Sequence, residues 1–124
     1  MKDFRHLRVW DEAHQLTLKI YRATGRFPRE EVYGLTSQMR RCSMSIGANI
    51  AEGCGKRGNN EFQRYLVIAS GSASELDYEL LLAQDLGYLD EPTDRSFHED
   101  LTRLRKMLSA LLQKVDGERS AAKC

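Results

Sequence analysis

A glycine-rich stretch near the middle of the chain has the residue types of a phosphate-binding loop. Residues 53–58 read Gly-Cys-Gly-Lys-Arg-Gly, which matches G-x-G-x-x-G and places two cations between the glycines. A dinucleotide-binding loop of this pattern follows a strand and opens a helix within a βαβ unit. Here a helical pattern precedes the glycines, and neither Ser nor Thr follows Lys56 as a Walker A loop requires. We interpret the stretch as a joint between two helices and expect no cofactor.

Carboxylates near the seam of the second and third predicted helices have the chemistry of general acids and bases. Glu52, Glu75 and Glu79 lie on helical segments among other polar residues. No nucleophile or second catalytic group accompanies them, so we expect no catalytic residues and favour a hydrogen-bonded network that fixes helix register or oligomer state. An enzyme that uses Glu52 and Glu75 in a carboxylate-lined pocket is the alternative. The predicted network consists of Arg41, Ser45, Asn49, Glu52, Ser72 and Glu75.

Metal binding finds little support in the sequence. A di-iron site in a helical bundle needs Glu-x-x-His motifs, and none is present. The three histidines, His6, His14 and His98, lie far from the central carboxylates, so we expect no metal. Cys42 falls on an apolar stripe and is interpreted as core, and Cys54 is predicted to be the reactive cysteine. The odd cysteine set and the lack of an apolar leader or membrane-length run predict a reduced, cytoplasmic protein.

Basic residues suggest a polyanion partner. Arg40, Lys56, Arg57 and Arg64 are predicted to cluster at the glycine joint, where Tyr65 offers a stacking face. Residues 1–65 hold 12 Lys and Arg against 7 Asp and Glu, a net charge of +5, although the whole chain carries only +1. The alternative, which we favour, is complementary packing of this half against the acidic half, within or between subunits.

Four helices are predicted to position these residues. Apolar residues recur at spacings of three and four, and the two prolines lie between the periodic segments. Asn60 with Gln63 is predicted to cap the third helix, and Thr93 or Asp94 the fourth. Gly47 is expected to allow another backbone to approach the second helix. The helices span approximately residues 9–24, 35–52, 60–86 and 93–115.

These segments predict an all-α protein, an antiparallel up-and-down four-helix bundle in residues 1–115, with a flexible tail in residues 116–124. The third helix has apolar residues on two sides. One side must pack in the bundle, and the other is available to a second copy of the chain or to another protein.

The most specific run lies between Leu35 and Leu80. It contains Leu-Thr-Ser-Gln, an arginine pair, Ser-Ile-Gly-Ala-Asn-Ile-Ala-Glu-Gly and Gly-Ser-Ala-Ser-Glu-Leu. With "FRHLRVWDEAHQL" and "LGYL", this run resembles the bacterial four-helix-bundle proteins called 23S ribosomal RNA intervening-sequence proteins, over approximately residues 4–115. The motif residues carried over are Arg41, Ser45, Asn49, Glu52, Gly53, Gly71, Ser72 and Glu75.

The resemblance implies a homopentameric ring or barrel without an established enzymatic activity. Some members are encoded within inserts in ribosomal RNA genes, and a related branch is the accessory protein of diversity-generating retroelements. That branch is basic and associates with RNA and a reverse transcriptase, whereas this chain is nearly neutral. We expect a non-enzymatic homo-oligomer, a pentamer, with RNA as a partner, and neither a membrane nor a small-molecule substrate. The alternative is a protein–protein adaptor without nucleic-acid binding.

Overall fold

Four α-helices form the fold. The computed structural model describes residues 3–123, and the side chains of residues 3–118. No strand occurs in this part of the chain, so the predicted all-α four-helix bundle is confirmed. Short 3₁₀-helices at Phe4–His6 and Arg29–Glu31 precede the first and second α-helices. The α-helices are α1 (Arg8–Thr24), α2 (Leu35–Cys54), α3 (Asn59–Asp85) and α4 (Glu91–Lys123).

The apolar stripes meet in one core. Sequential helices pack against each other, and α1 also contacts α4, which closes the bundle. α2 packs against both α1 and α3. Every member of the predicted α3 stripe is at most 2% exposed, because the heptad spacing keeps these side chains on one face. That stripe comprises Phe62, Leu66, Ala69, Ala73, Leu76, Leu80 and Ala83.

Two helix starts differ from the predicted ones. α3 begins at Asn59, directly after Gly58, whose φ of 80° lies in the left-handed region that favours glycine. No side chain caps this end, so the predicted cap at Asn60 is wrong. α4 begins at Glu91 because Asp90 accepts a hydrogen bond from the Thr93 backbone N–H at 2.8 Å. The cap is therefore Asp90 rather than Thr93 or Asp94.

α4 extends beyond its predicted end. The sequence pattern ends the helix near Val115, whereas the structure continues it to Lys123. Polar contacts support the extension, because Gln63 donates to Asp116 at 2.5 Å and Asn59 donates to Glu118 at 2.9 Å. The division into a domain of residues 1–115 and a tail of residues 116–124 stays a prediction, and residue 124 lies outside the described residues.

Glycine permits one close contact between α2 and α3. A Cβ built on Gly53 would lie 2.9 Å from the Tyr65 Cβ and 3.0 Å from the Phe62 Cδ1. At Gly47 the nearest atom outside the local helix backbone is the Trp10 Nε1 at 3.6 Å, an ordinary contact with a side chain. The backbone approach predicted at Gly47 is therefore wrong. The close contact with a neighbouring helix lies six residues later on α2, at Gly53.

Candidate functional site

Polar side chains line the seam between α2 and α3. The hydroxyls of Ser45 and Ser72 are 2.9 Å apart, and the Asn49 side-chain amide donates to the Ser45 carbonyl at 2.8 Å and to its hydroxyl at 3.0 Å. α2 and α3 run antiparallel, so residues whose numbers sum to about 117 lie opposite each other. Three predicted network residues are thus brought together. Their role in fixing register or oligomer state stays a prediction.

The other three predicted network residues do not join this set. Arg41 is exposed and forms no ion pair among the described residues. Glu52 is also exposed and accepts a hydrogen bond of 3.3 Å from the Tyr65 hydroxyl. Glu75 lies instead in a second group, one turn further along the seam, which the sequence analysis did not identify.

This second group, the thiol–carboxylate cluster, consists of Cys42, Glu75 and Glu79. The Cys42 Sγ and one oxygen from each carboxylate lie within 4.8 Å of one another. Cys42 is 4% exposed and Glu79 is 6% exposed, while Glu75 faces solvent. The Cys42 thiol donates to the Ser72 carbonyl at 3.0 Å, and the buried Glu79 Oε1 has no hydrogen-bond partner among the described residues. The Glu79 Oε1 is thus removed from water without a hydrogen bond that would offset the cost of its burial.

Burial and mutual repulsion perturb both buried groups of the cluster. Burial raises the pKa of Glu79 from 4.5 to about 7, and the charge of Glu75 adds to the shift. Burial also holds the pKa of the Cys42 thiol well above its ordinary value, with both carboxylates contributing in the same direction. The thiol is therefore protonated at neutral pH and is unsuited to nucleophilic attack without a cation beside it.

The structure also changes the interpretation of Cys54. The side chain is 2% exposed because it belongs to the last turn of α2 rather than to the loop. The prediction that Cys54 is the reactive cysteine is wrong, since a buried thiol is shielded from solvent reagents. Cys124 lies outside the described residues.

Lys56, Arg57 and Arg64 form a basic patch at the joint between α2 and α3. All three are exposed, and none takes part in a direct ion pair in the part of the chain that the structure describes. The Lys56 Nζ lies 5.6 Å and the Arg64 Cζ 5.3 Å from the centroid of the Tyr65 ring, so two cations approach one aromatic ring. The patch combines positive charge with an aromatic surface.

Arg40 is not part of the basic patch. Its guanidinium donates to the Thr24 hydroxyl at 2.8 Å and to the Tyr21 carbonyl at 3.1 Å, and it lies over the Tyr21 ring. Sixteen residues separate Arg40 from Lys56, or about 24 Å at 1.5 Å per helical residue. The predicted clustering of these residues is wrong for Arg40, which joins the end of α1 to α2.

The glycine stretch is a helix–helix joint in the structure. α2 precedes it and α3 follows it, and no strand occurs in residues 3–123. The structural context of a dinucleotide-binding fingerprint is thus missing. The histidines lie elsewhere: His14 stacks on Trp10 at 4.9 Å, His98 lies 3.3 Å from an Asp94 oxygen, and His6 lies beside Asp3.

With this geometry in place, comparison with known proteins assigns the family. The family model of the 23S rRNA-intervening sequence proteins matches residues 5–110 of the chain. The chain belongs to this family. A crystal structure of a protein of unknown function from the S23 ribosomal protein family of Bacteroides thetaiotaomicron is similar, with a TM-score of 0.78 and 26% identity. The similarity covers 85% of this chain and 95% of that chain. No curated protein matches the sequence.

The match to the 23S rRNA-intervening sequence protein family spans the candidate site. The matched residues contain the polar seam, the thiol–carboxylate cluster and the basic patch, whereas α4 beyond residue 110 is outside the match. None of the described helices is both long enough and apolar enough to cross a bilayer.

Sequence reasoning missed the partners of Cys42, although a signal was present. Glu75 and Glu79 are four residues apart and therefore lie on one face of α3. The apolar stripe of α2 predicts that Cys42 is buried, which is confirmed, and the antiparallel register of α2 and α3 places it beside both acids. The cluster could have been found by pairing α2 and α3 residue by residue.

Proposed function

We propose that the chain forms a non-enzymatic homo-oligomeric ring, a pentamer, that binds RNA in the cytoplasm. The observation that carries the assembly part is the outer face of α3, the side turned away from the core. Its large apolar side chains, with that of Leu86 directly after the helix, are each 43–62% exposed in the single chain: Val67, Ile68, Tyr78, Leu81 and Leu86. Large exposed apolar surfaces on one side of a protein mark interaction sites, so a partner surface is expected to cover this face.

A ring of five copies requires two different complementary surfaces on each copy. A self-complementary surface closes a dimer by twofold symmetry, whereas head-to-tail contacts close rings of other sizes. We take the outer face of α3 as the first surface and the groove between α1 and α2 as the second. That groove has a volume of about 250 Å³, and three of its lining residues are Gly or Ala of α2. It is lined by Phe4, Trp10, His14, Thr17, Met44, Gly47, Ala48 and Ala51.

The assembly is tested by the mass of the particle in solution. Light scattering is expected to give a pentamer of the 14.2 kDa chain. Tyr78→Glu places a charge on the outer face of α3 and is expected to yield a folded monomer, because this side chain is 62% exposed in the single chain. Gln113→Glu, an exposed position on α4, is the matched control and should leave the mass unchanged. A wild-type monomer at micromolar concentration would refute the assembly.

The basic patch supports the RNA part of the proposal. Each copy presents Lys56, Arg57 and Arg64 to solvent beside the Tyr65 ring. Cations attract the phosphate backbone, and an aromatic face allows a base of a single strand to stack. A pentamer repeats this patch five times, so several patches can contact one RNA even though each chain carries a net charge of only +1.

RNA binding is tested with single-stranded RNA at several salt concentrations. The logarithm of the affinity is expected to fall with the logarithm of the salt concentration by about 0.7 per neutralised phosphate. Substituting Lys56, Arg57 and Arg64 together by alanine should weaken binding and flatten this slope by about 2 for each patch engaged. An unchanged slope would exclude the patch, without affecting the assembly result.

A matched control uses the other exposed arginine group. Arg22, Arg26 and Arg29 lie around the connection between α1 and α2 and carry the same total charge. Their replacement by alanine should reduce affinity less than replacement of the basic patch. Equal loss from both triple variants would indicate general electrostatic attraction instead of a site.

The exposed face of α3 also supports a second candidate function, a protein–protein adaptor. An unrelated protein could cover the same apolar residues, in which case the purified chain would be monomeric and would bind no RNA. The light-scattering and RNA titrations therefore separate the two functions. The enzymatic alternative has less support, because the two carboxylates lie apart along the seam. Glu52 lies beside Tyr65, whereas Glu75 lies beside Cys42, which is ten residues or about 15 Å away from Glu52 along α2.

A further inference from the structure

The thiol–carboxylate cluster has the placement of a ligand set. Cys42 projects from α2, and Glu75 and Glu79 project from successive turns of the facing helix α3. The Cys42 Sγ and one oxygen from each carboxylate lie within 4.8 Å of one another. Both helices contribute core side chains before and after the cluster residues, so packing restricts the positions of the three groups.

Among the side chains of residues 3–118, no Lys, Arg or His forms an ion pair with Glu75 or Glu79. Glu79 is more than nine-tenths buried, and its Oε1 has no hydrogen-bond partner among the described residues. Arg41, which neighbours Cys42 in the sequence, is exposed and forms no ion pair with either carboxylate. A buried carboxylate oxygen without a donor is costly, and a bound cation would remove that cost.

We propose that Cys42, Glu75 and Glu79 form a binding site for a divalent transition-metal ion, Zn²⁺. A thiolate with two carboxylates suits Zn²⁺, which binds sulfur at about 2.3 Å and carboxylate oxygen at about 2.0–2.2 Å. Ca²⁺ and Mg²⁺ prefer all-oxygen ligands, so the cysteine selects against them. In the single chain the exposed side of Glu75 gives the ion an entry path, and three protein ligands leave one of the four tetrahedral positions for water.

Binding exchanges protons for the metal. Zn²⁺ accepts an electron pair from the Cys42 sulfur, the thiol proton passes to the buffer, and the hydrogen bond from the thiol to the Ser72 carbonyl is lost. Any proton on Glu79 is released as well when its carboxylate binds. No oxidation or reduction occurs, because zinc keeps its charge.

Isothermal titration of untagged, chelator-treated full-length protein with Zn²⁺ alone tests the site. One ion per chain is expected, with a proton release that is measured by repeating the titration in buffers of different ionisation enthalpy. Co²⁺ used as a spectroscopic substitute should give a thiolate-to-cobalt charge-transfer band. Absence of zinc binding, or a stoichiometry far from one per chain, would overturn the proposal.

Variants assign the ligands. Cys42→Ser should abolish the charge-transfer band and weaken Zn²⁺ binding at least 100-fold, and Glu79→Gln should weaken it at least tenfold. Glu75→Gln changes an exposed side chain, so it tests the site even if a buried variant fails to fold. Circular dichroism monitors folding in each case.

Controls use residues of the same type outside the cluster. Combined Cys54→Ser and Cys124→Ser removes the other two thiols, and Glu52→Gln removes an exposed carboxylate on the same seam. Both controls should retain the stoichiometry and the band. Loss of binding in the double-cysteine control, with retention in Cys42→Ser, would assign the metal to other sulfurs and refute the site.

Discussion

Replacing Gly53 by alanine tests how closely α2 and α3 pack. The new Cβ would lie 2.9 Å from the Tyr65 Cβ, an atom fixed to the backbone that cannot rotate away, and 3.0 Å from the buried Phe62 ring. Overpacking of this kind costs about 1–3 kcal/mol, whereas alanine gains up to about 1 kcal/mol over glycine in a helix. We expect Gly53→Ala to lower the free energy of unfolding by about 1–2 kcal/mol.

Gly117→Ala is the control, on α4 and outside both proposed subunit surfaces. Its Cβ would meet no heavy atom within 4 Å, so no atoms need to move and the gain in helix propensity remains. We expect it to raise the free energy of unfolding by up to about 1 kcal/mol. Urea unfolding followed by circular dichroism at one protein concentration should separate the two midpoints by about 1 M, given slopes of about 1–3 kcal/mol per M. Midpoints that shift in the same direction would refute the packing argument.

Two further predictions concern charged groups. In metal-free protein, Glu79→Gln should stabilise the fold more at pH 8 than at pH 5. The pKa of Glu79 is 4.5 in the unfolded chain and about 7 in the folded protein, so the unfolded chain releases this proton first as the pH rises. The free energy of unfolding of the wild type therefore falls by up to roughly 3 kcal/mol over this pH range, and the variant avoids this loss. Equal differences in urea midpoint at the two pH values would contradict this shift. Asp100→Asn should cost about 1 kcal/mol at low salt and less at high salt, because Asp100 pairs with both Lys19 and Arg103. A salt-independent midpoint difference would contradict an electrostatic origin.

The fold could be predicted from the sequence because its main signal is local. A heptad stripe such as Phe62 to Ala83 identifies a helix and its buried face without knowledge of the neighbouring helices. Helix ends were less predictable, because several polar residues compete for a cap and the turn geometry decides among them. Asp90 rather than Thr93 caps α4 for this reason, and Gly58 rather than Asn60 precedes α3.

The candidate site depended on information that a single helix does not contain. Ser45, Asn49 and Ser72 meet as expected because their numbers suit antiparallel α2 and α3. The contact of Cys42 with two acids follows from the same register, but it also requires the rotation of α3 that turns Glu79 inward. The clustering predicted for Arg40 is wrong because the 16 residues between Arg40 and Lys56 are mostly helical and separate them by about 24 Å.

The uneven charge of the chain can now be related to contacts. If the basic half mainly served to pack against the acidic half within one chain, its cations would pair with acids beyond residue 65. Among the described side chains, Lys19 is the one cation of the basic half in a direct ion pair of this kind, with Asp100. In the second ion pair between the halves, the acidic half supplies the cation, Arg103, and the basic half supplies the acid, Glu12. Packing within one chain therefore leaves most of the positive charge solvated. We propose that neighbouring copies or RNA neutralise it, and the two triple-alanine variants distinguish these partners, because loss of the ring and loss of RNA affinity are measured separately.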